Sequence, residues 1–117
     1  MERGRILIMG QTKESTYEIR NLLDAKKYEL EIALSKDVGK MILTQRQMSL
    51  LIIHTEMVGG DAREFFDFLE ERGIDIPVLL LGEEAGKLRE ALPAEASVCC
   101  FEKPYPVEEM LTTIRTL

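Results

Sequence analysis

"LLIIHTEMVGGD", residues 50–61, reads as a strand, a Gly-Gly turn and the cap of a helix. Four large apolar residues in a row, without alternation, are what a strand covered on both faces requires. The rest of the chain repeats the pattern. Short apolar runs at "RILIM" (5–9), "LEIAL" (30–34), "LLIIH" (50–54), "PVLLL" (77–81) and "SVCCF" (97–101) predict five strands. Between and after them the apolar residues recur at helical spacing: Ile19, Leu22 and Leu23; Val38, Met41 and Ile42; Phe65, Phe68 and Leu69; Leu88, Ala91 and Leu92; Val107, Met110, Leu111 and Ile114. Thr12, Ser35 and Asp61 stand as helix caps, the last with Glu64 placed to complete a capping box. Gly73 and Pro93 mark helix ends. Strict alternation of strand and helix implies one α/β domain, residues 1–117, built as a doubly wound parallel sheet of five strands with five helices.

Composition narrows the classes of function. The chain has 117 residues, 45% hydrophobic and 31% charged, with a net charge of −6. That is an ordinary globular composition, and the negative balance argues against direct contact with nucleic acid or an anionic membrane. "MERGRILIMG" lacks the apolar run of a signal peptide, and no segment approaches the length of a membrane span. A cytoplasmic location is expected. Cys99 and Cys100 are adjacent and point to opposite faces of a strand, so both are read as free thiols. The last helix runs to Leu117 without a cap or breaker, from which the chain is expected to be the N-terminal part of a longer regulator.

In open sheets of this kind the chemistry sits beyond the carboxyl ends of the strands. The loops concerned follow Met9, Leu34, His54, Leu81 and Glu102. On "RILIMG", "LLIIHTEMVGGD", "IPVLLLGEE" and "FEKPYP" the whole chain resembles the receiver domain of two-component response regulators. The pair Lys103-Pro104 followed by Tyr105 is the most specific of these features. The resemblance implies the flavodoxin-like or CheY-like three-layer sandwich with strand order 2-1-3-4-5, a cis Lys103-Pro104 bond, and phosphoryl transfer to an aspartate assisted by Mg²⁺.

At the matching positions the reactive groups differ. Gly10 and Gln11 stand at the acidic pair, His54 at the phosphoacceptor, and Gly82 at the hydroxyl-bearing residue, followed by Glu83. Of the reactive set only Lys103 remains, and Cys100 replaces the aromatic of the last strand. Mg²⁺ requires clustered oxygen ligands, so the expectation is a degenerate pocket with no catalytic residue, no metal and no cofactor: a pseudo-receiver acting by contact. Lys103 is then expected to turn to Glu56, Glu83 or solvent.

Three readings of His54 stay open: phosphohistidine, metal ligand, or pH sensor biased by Glu56, Asp61 or Glu83. The cysteines have no zinc-ligand spacing relative to it. "MGQTKEST" (9–16) offers a second functional class, a small flavodoxin-like nucleotide or anion binder, although Glu14 opposes an anion there. Lys87, Arg89 and Glu90 with Glu108, Glu109 and Arg115 form a candidate interface, expected to make reciprocal ion pairs in a homodimer or to dock an output or partner domain, such as a transcriptional one.

Overall fold

The structure, a computed structural model, describes residues 4–23, 27–58, 62–90, 92 and 97–116. In chain order these residues form β1 (Gly4–Met9), α1 (Lys13–Leu22), β2 (Tyr28–Ala33), α2 (Lys36–Gln45), β3 (Leu50–His54), α3 (Thr55–Val58), α4 (Ala62–Glu71), β4 (Val78–Leu81), α5 (Ala85–Glu90), β5 (Val98–Phe101) and α6 (Val107–Thr116). All strand pairs are parallel, in the order β2-β1-β3-β4-β5. The expected fold class and strand order hold. The helix count does not: among the described residues there are six, because one further turn of helix, α3, follows His54 directly. The readings at residues 59–61, Ala91, Pro93 and Leu117 lie outside the described residues.

Strand parity divides the interior into two layers. Ile6, Ile8, Leu50, Ile52, Leu79 and Leu81 face Ile19 of α1 and Met110 and Ile114 of α6. Leu7, Met9, Leu51, Ile53, Val78 and Leu80 face the other way, onto Leu43, Met57, Phe65, Leu69 and Ala85 from α2 to α5. Every residue of β3 and β4 is buried. With helices on both sides, the driving force is apolar burial, roughly 1.5–3 kcal/mol for each large side chain.

Local signals place the helices. Thr12 caps α1 by accepting from Ser15 N, and Ser35 caps α2 by accepting from Val38 N. Gly73, at φ 68°, ends α4 with its N–H on Glu70 O and that of Ile74 on Leu69 O. β2 begins at Tyr28, two residues before the predicted start. There Arg5 pairs with Glu29 at 2.9 Å, so this sheet edge is polar on its exposed side.

The parity that builds the core also aims the crevice. His54 continues the series Leu50, Ile52 and therefore points toward α1, as does Gly10 after Ile6 and Ile8. Gly10 and Gly82 extend the ladder by one bond each, to Ala33 O at 3.2 Å and Phe101 O at 3.1 Å. The carboxyl ends of β1 and β4 are thereby fixed by backbone hydrogen bonds before any side chain in the crevice is considered.

Candidate functional site at the carboxyl ends of the strands

A cleft of about 500 Å³ opens above β3, β4 and β5, lined among others by Ser15, His54, Thr55, Glu56, Gly82 and Lys103. Of the five positions singled out from the sequence, His54, Gly82 and Lys103 share this cleft. Gly10 lies behind the imidazole, and Gln11 spans the mouth.

His54 is 5% exposed. Its Nε2 lies 3.1 Å from the carbonyl oxygen of Ser15, which can only accept, so Nε2 carries the proton and donates. Burial is the largest influence on its titration and lowers its pKa. Glu56, the Ser15 carbonyl and Glu18 pull the other way, and Lys103 adds to the lowering. The ring is thus a neutral hydrogen-bond donor at neutral pH.

Gly10 is needed where it stands. A Cβ there would lie 2.9 Å from Ser15 Oγ, 2.9 Å from Thr16 Cγ2 and 3.0 Å from His54 Cδ2. Thr16 cannot easily retreat, being fully buried with its hydroxyl donating toward Thr12 O and Lys13 O at 3.2 and 3.0 Å. Gly82 is constrained twice. Its φ of +125° disfavours any side chain, and a Cβ would meet Thr55 Oγ1 at 2.7 Å. Two residues on, Glu84 is held at φ 62°, a conformation unusual for a residue with a Cβ.

Gln11 is exposed, yet its Nε2 donates to the carbonyl of Glu56 at 3.1 Å, joining the loop after β1 to α3. Lys103 turns mainly to solvent, one of its expected destinations. Neither Glu56 nor Glu83 is its ion-pair partner; its Nζ is 4.0 Å from Glu18 Oε2 on α1, with the two side chains 62% and 51% exposed. The reason is reach: the chain after β5 turns toward α1, where Lys103 also lies 5.7 Å from the Tyr105 ring centroid. The Lys103-Pro104 bond is cis, as expected.

Residues not singled out in the sequence complete the cleft, Ser15, Thr55 and Glu84, together with Tyr105, which the sequence offered only as part of the Lys103-Pro104 feature. Tyr105 Oη is buried and has no hydrogen-bond partner among the described residues. Burial, then Glu18 and Glu56, raises its pKa. Among the described residues no three His, Cys, Asp or Glu side chains converge as a metal site. The hydroxyls of "MGQTKEST" turn inward to the first turn of α1, Thr12 and Ser15 bonding each other at 3.0 Å.

No protein-family model matches the sequence, and no curated protein does. Solved structures do match in three dimensions. Full-length FixJ from B. japonicum superposes with a TM-score of 0.83 at 18% identity, over 99% of this chain and 58% of that one. The receiver fold is what they share. The signal receiver domain of an HD domain-containing protein from Pseudomonas fluorescens Pf-5 gives 0.82 at 20% identity, covering 98% of this chain and 94% of that one. The chemotaxis response regulator CheY4 of Vibrio cholerae gives 0.78 at 18% identity, with 98% of each chain covered. The chain thus spans just over half the length of FixJ and nearly all of the other two.

The six interface candidates flank the sheet edge at β5, α5 on one face and α6 on the other. Three of them already have partners within the chain. Arg89 Nε donates to Val98 O at 3.2 Å, which straps α5 to β5; Lys87 approaches Glu84 at 3.8 Å; Arg115 Nε donates to Leu111 O at 3.3 Å. Glu90, Glu108 and Glu109 are exposed. Half-buried Cys99 and Cys100 on β5 are free thiols, and burial raises the pKa of Cys100.

Proposed function

We propose that this chain is a receiver-like signalling module that does not carry a phosphoryl group and instead acts by contact, as a homodimer or against an output or partner domain. The observation that carries the reading is the end of β3. An acyl phosphate needs a carboxylate, and the residue there is a buried imidazole with one nitrogen already hydrogen-bonded to Ser15 O. Its neighbours fit the same reading. Gly10 and Gln11 bring no charge to the place where a divalent cation would need oxygen ligands.

The contact surface in this proposal is the edge formed by α5, β5 and α6. Glu90, Glu108 and Glu109 supply its free charge, so a partner offering Lys or Arg at its rim suits it better than a face of like charge. The internal engagement of Lys87, Arg89 and Arg115 favours a heterologous partner domain over mutual ion pairs between two identical faces. Control of transcription would then belong to the partner, since a net charge of −6 suits this chain poorly to DNA.

The test is titration of the protein with beryllofluoride and Mg²⁺, followed by ¹⁹F NMR and thermal shift. No saturable binding is expected. Saturable binding, or a phosphorylated side chain after incubation with acetyl phosphate, contradicts the proposal.

A further inference from the structure

Two hydrogen bonds cross the mouth of the crevice, and both run from a side chain to a backbone carbonyl of a different element. His54, at the end of β3, donates to Ser15 O in the first turn of α1 at 3.1 Å. Gln11, in the loop after β1, donates to Glu56 O in α3 at 3.1 Å. They run in opposite senses, one from the β3 end to α1 and the other from the β1 loop back to α3. Neither involves a charge. Around them the backbone is closed to added side chains at Gly10, by Ser15, Thr16 and His54, and at Gly82, by Thr55.

We propose that His54 and Gln11 are positioning residues that latch the crevice from within, holding the β1–α1 loop against the β3–α3 junction in one arrangement without any bound ion or phosphoryl group. The inference rests on the reading that no phosphoryl group occupies this site, and extends it: the loops do not wait for a ligand to order them. Each bond spans segments far apart in sequence, so breaking either one releases a local opening without touching the apolar layers. Because the two staples act in parallel across the same gap, removing both opens it further than removing either.

Hydrogen–deuterium exchange of the 117-residue protein tests this, comparing wild type with Gln11→Leu, His54→Phe and the double variant. Leucine keeps much of the bulk of Gln11, and phenylalanine keeps a ring at 54, while each removes the donor. Exchange of residues 10–16 and 55–57 is expected to quicken roughly five-fold in each single variant, the factor for a net hydrogen bond of ~1 kcal/mol, and by about the product in the double. The amides of β3 and β4 should keep their wild-type rates. Unchanged rates in the two loops overturn the proposal, as does an equal rise throughout the sheet, which reports loss of global stability only. Should His54→Phe not fold, Gln11→Leu, at an exposed position, decides alone. Adding Mg²⁺ and beryllofluoride to the wild type separates the two readings. Protection gained on binding defeats the proposed function, whereas rapid loop exchange in the untreated wild type defeats the latch.

Discussion

Replacing Gly10 by alanine adds one methyl group at the most crowded point of the crevice. The new Cβ would stand 2.9 Å from Ser15 Oγ, 2.9 Å from Thr16 Cγ2 and 3.0 Å from His54 Cδ2, each well inside ordinary carbon contact. The Ser15 hydroxyl, on a half-buried side chain, can rotate away only by giving up its bonds to Thr12. The Thr16 methyl belongs to a fully buried side chain anchored by its hydroxyl, and the imidazole is tied to Ser15 O. Overpacking of this kind costs typically 1–3 kcal/mol, and two of the three neighbours being fixed places the loss toward the upper end. Against it stands the gain from a less flexible unfolded chain, about 0.4–1 kcal/mol; Gly10 is not among the glycines of positive φ, so no backbone strain enters. The net loss is about 2 kcal/mol, or a fall in Tm of roughly 8 °C for a domain of this size. Urea unfolding followed by circular dichroism measures it. Gly86→Ala is the control: it lies in α5 with nothing within 4 Å of the added Cβ, so it should leave stability unchanged or raise it by up to ~1 kcal/mol. A Gly10→Ala protein within ~0.5 kcal/mol of wild type would refute the crowding argument, and so would an equal loss in the control.

The pKa of His54 is lowered in the folded state, so the unfolded chain binds more protons near and below pH 6.5; stability is full above that range and falls as the pH drops through it. Urea midpoints between pH 8 and pH 5 should show this decline in wild type and a shallower one in His54→Gln; parallel curves would assign the decline to other groups. Tyr105→Phe removes a buried hydroxyl without a partner among the described residues, and should be neutral or stabilising by up to ~1 kcal/mol in thermal unfolding, where a clear loss would reveal a partner for the hydroxyl. Lys103→Ala should change the urea midpoint by less than ~0.5 kcal/mol in ΔG, because its contact with Glu18 is long and mostly exposed; a loss above ~1 kcal/mol would mean the ammonium holds the crevice together.

The five strands were legible as apolar runs, unbroken in β3 and β4 because both are covered on both faces; their order was implied by the resemblance to receiver domains, not by the runs themselves. β2 was harder. As an edge strand it alternates, so the apolar run shows only from Leu30, and the pairing of Arg5 with Glu29 that extends it to Tyr28 is a contact between distant segments. The single turn Thr55–Val58 carried no signal, since four residues are too few for helical periodicity to show. At the crevice the identity of each departure could be read, but its consequence could not. That Gly10 is crowded by Ser15, Thr16 and His54, that Gln11 reaches Glu56 and that Lys103 turns to Glu18 are all contacts between segments distant along the chain. Among the overlooked residues Thr55 lay within sight, as a hydroxyl adjacent to His54 in sequence. Its role depends on the approach of β4, which brings Gly82 beside it.

None of Gly10, Gln11, His54, Gly82 and Lys103 belongs to either apolar layer of the sheet. The apolar layers therefore place little demand on charge at these five places, while at Gly10 and Gly82 the space around the backbone admits no side chain. Shape becomes the true constraint: with an imidazole filling the space in front of Gly10, any side chain at position 10 fits only where that ring is absent or displaced.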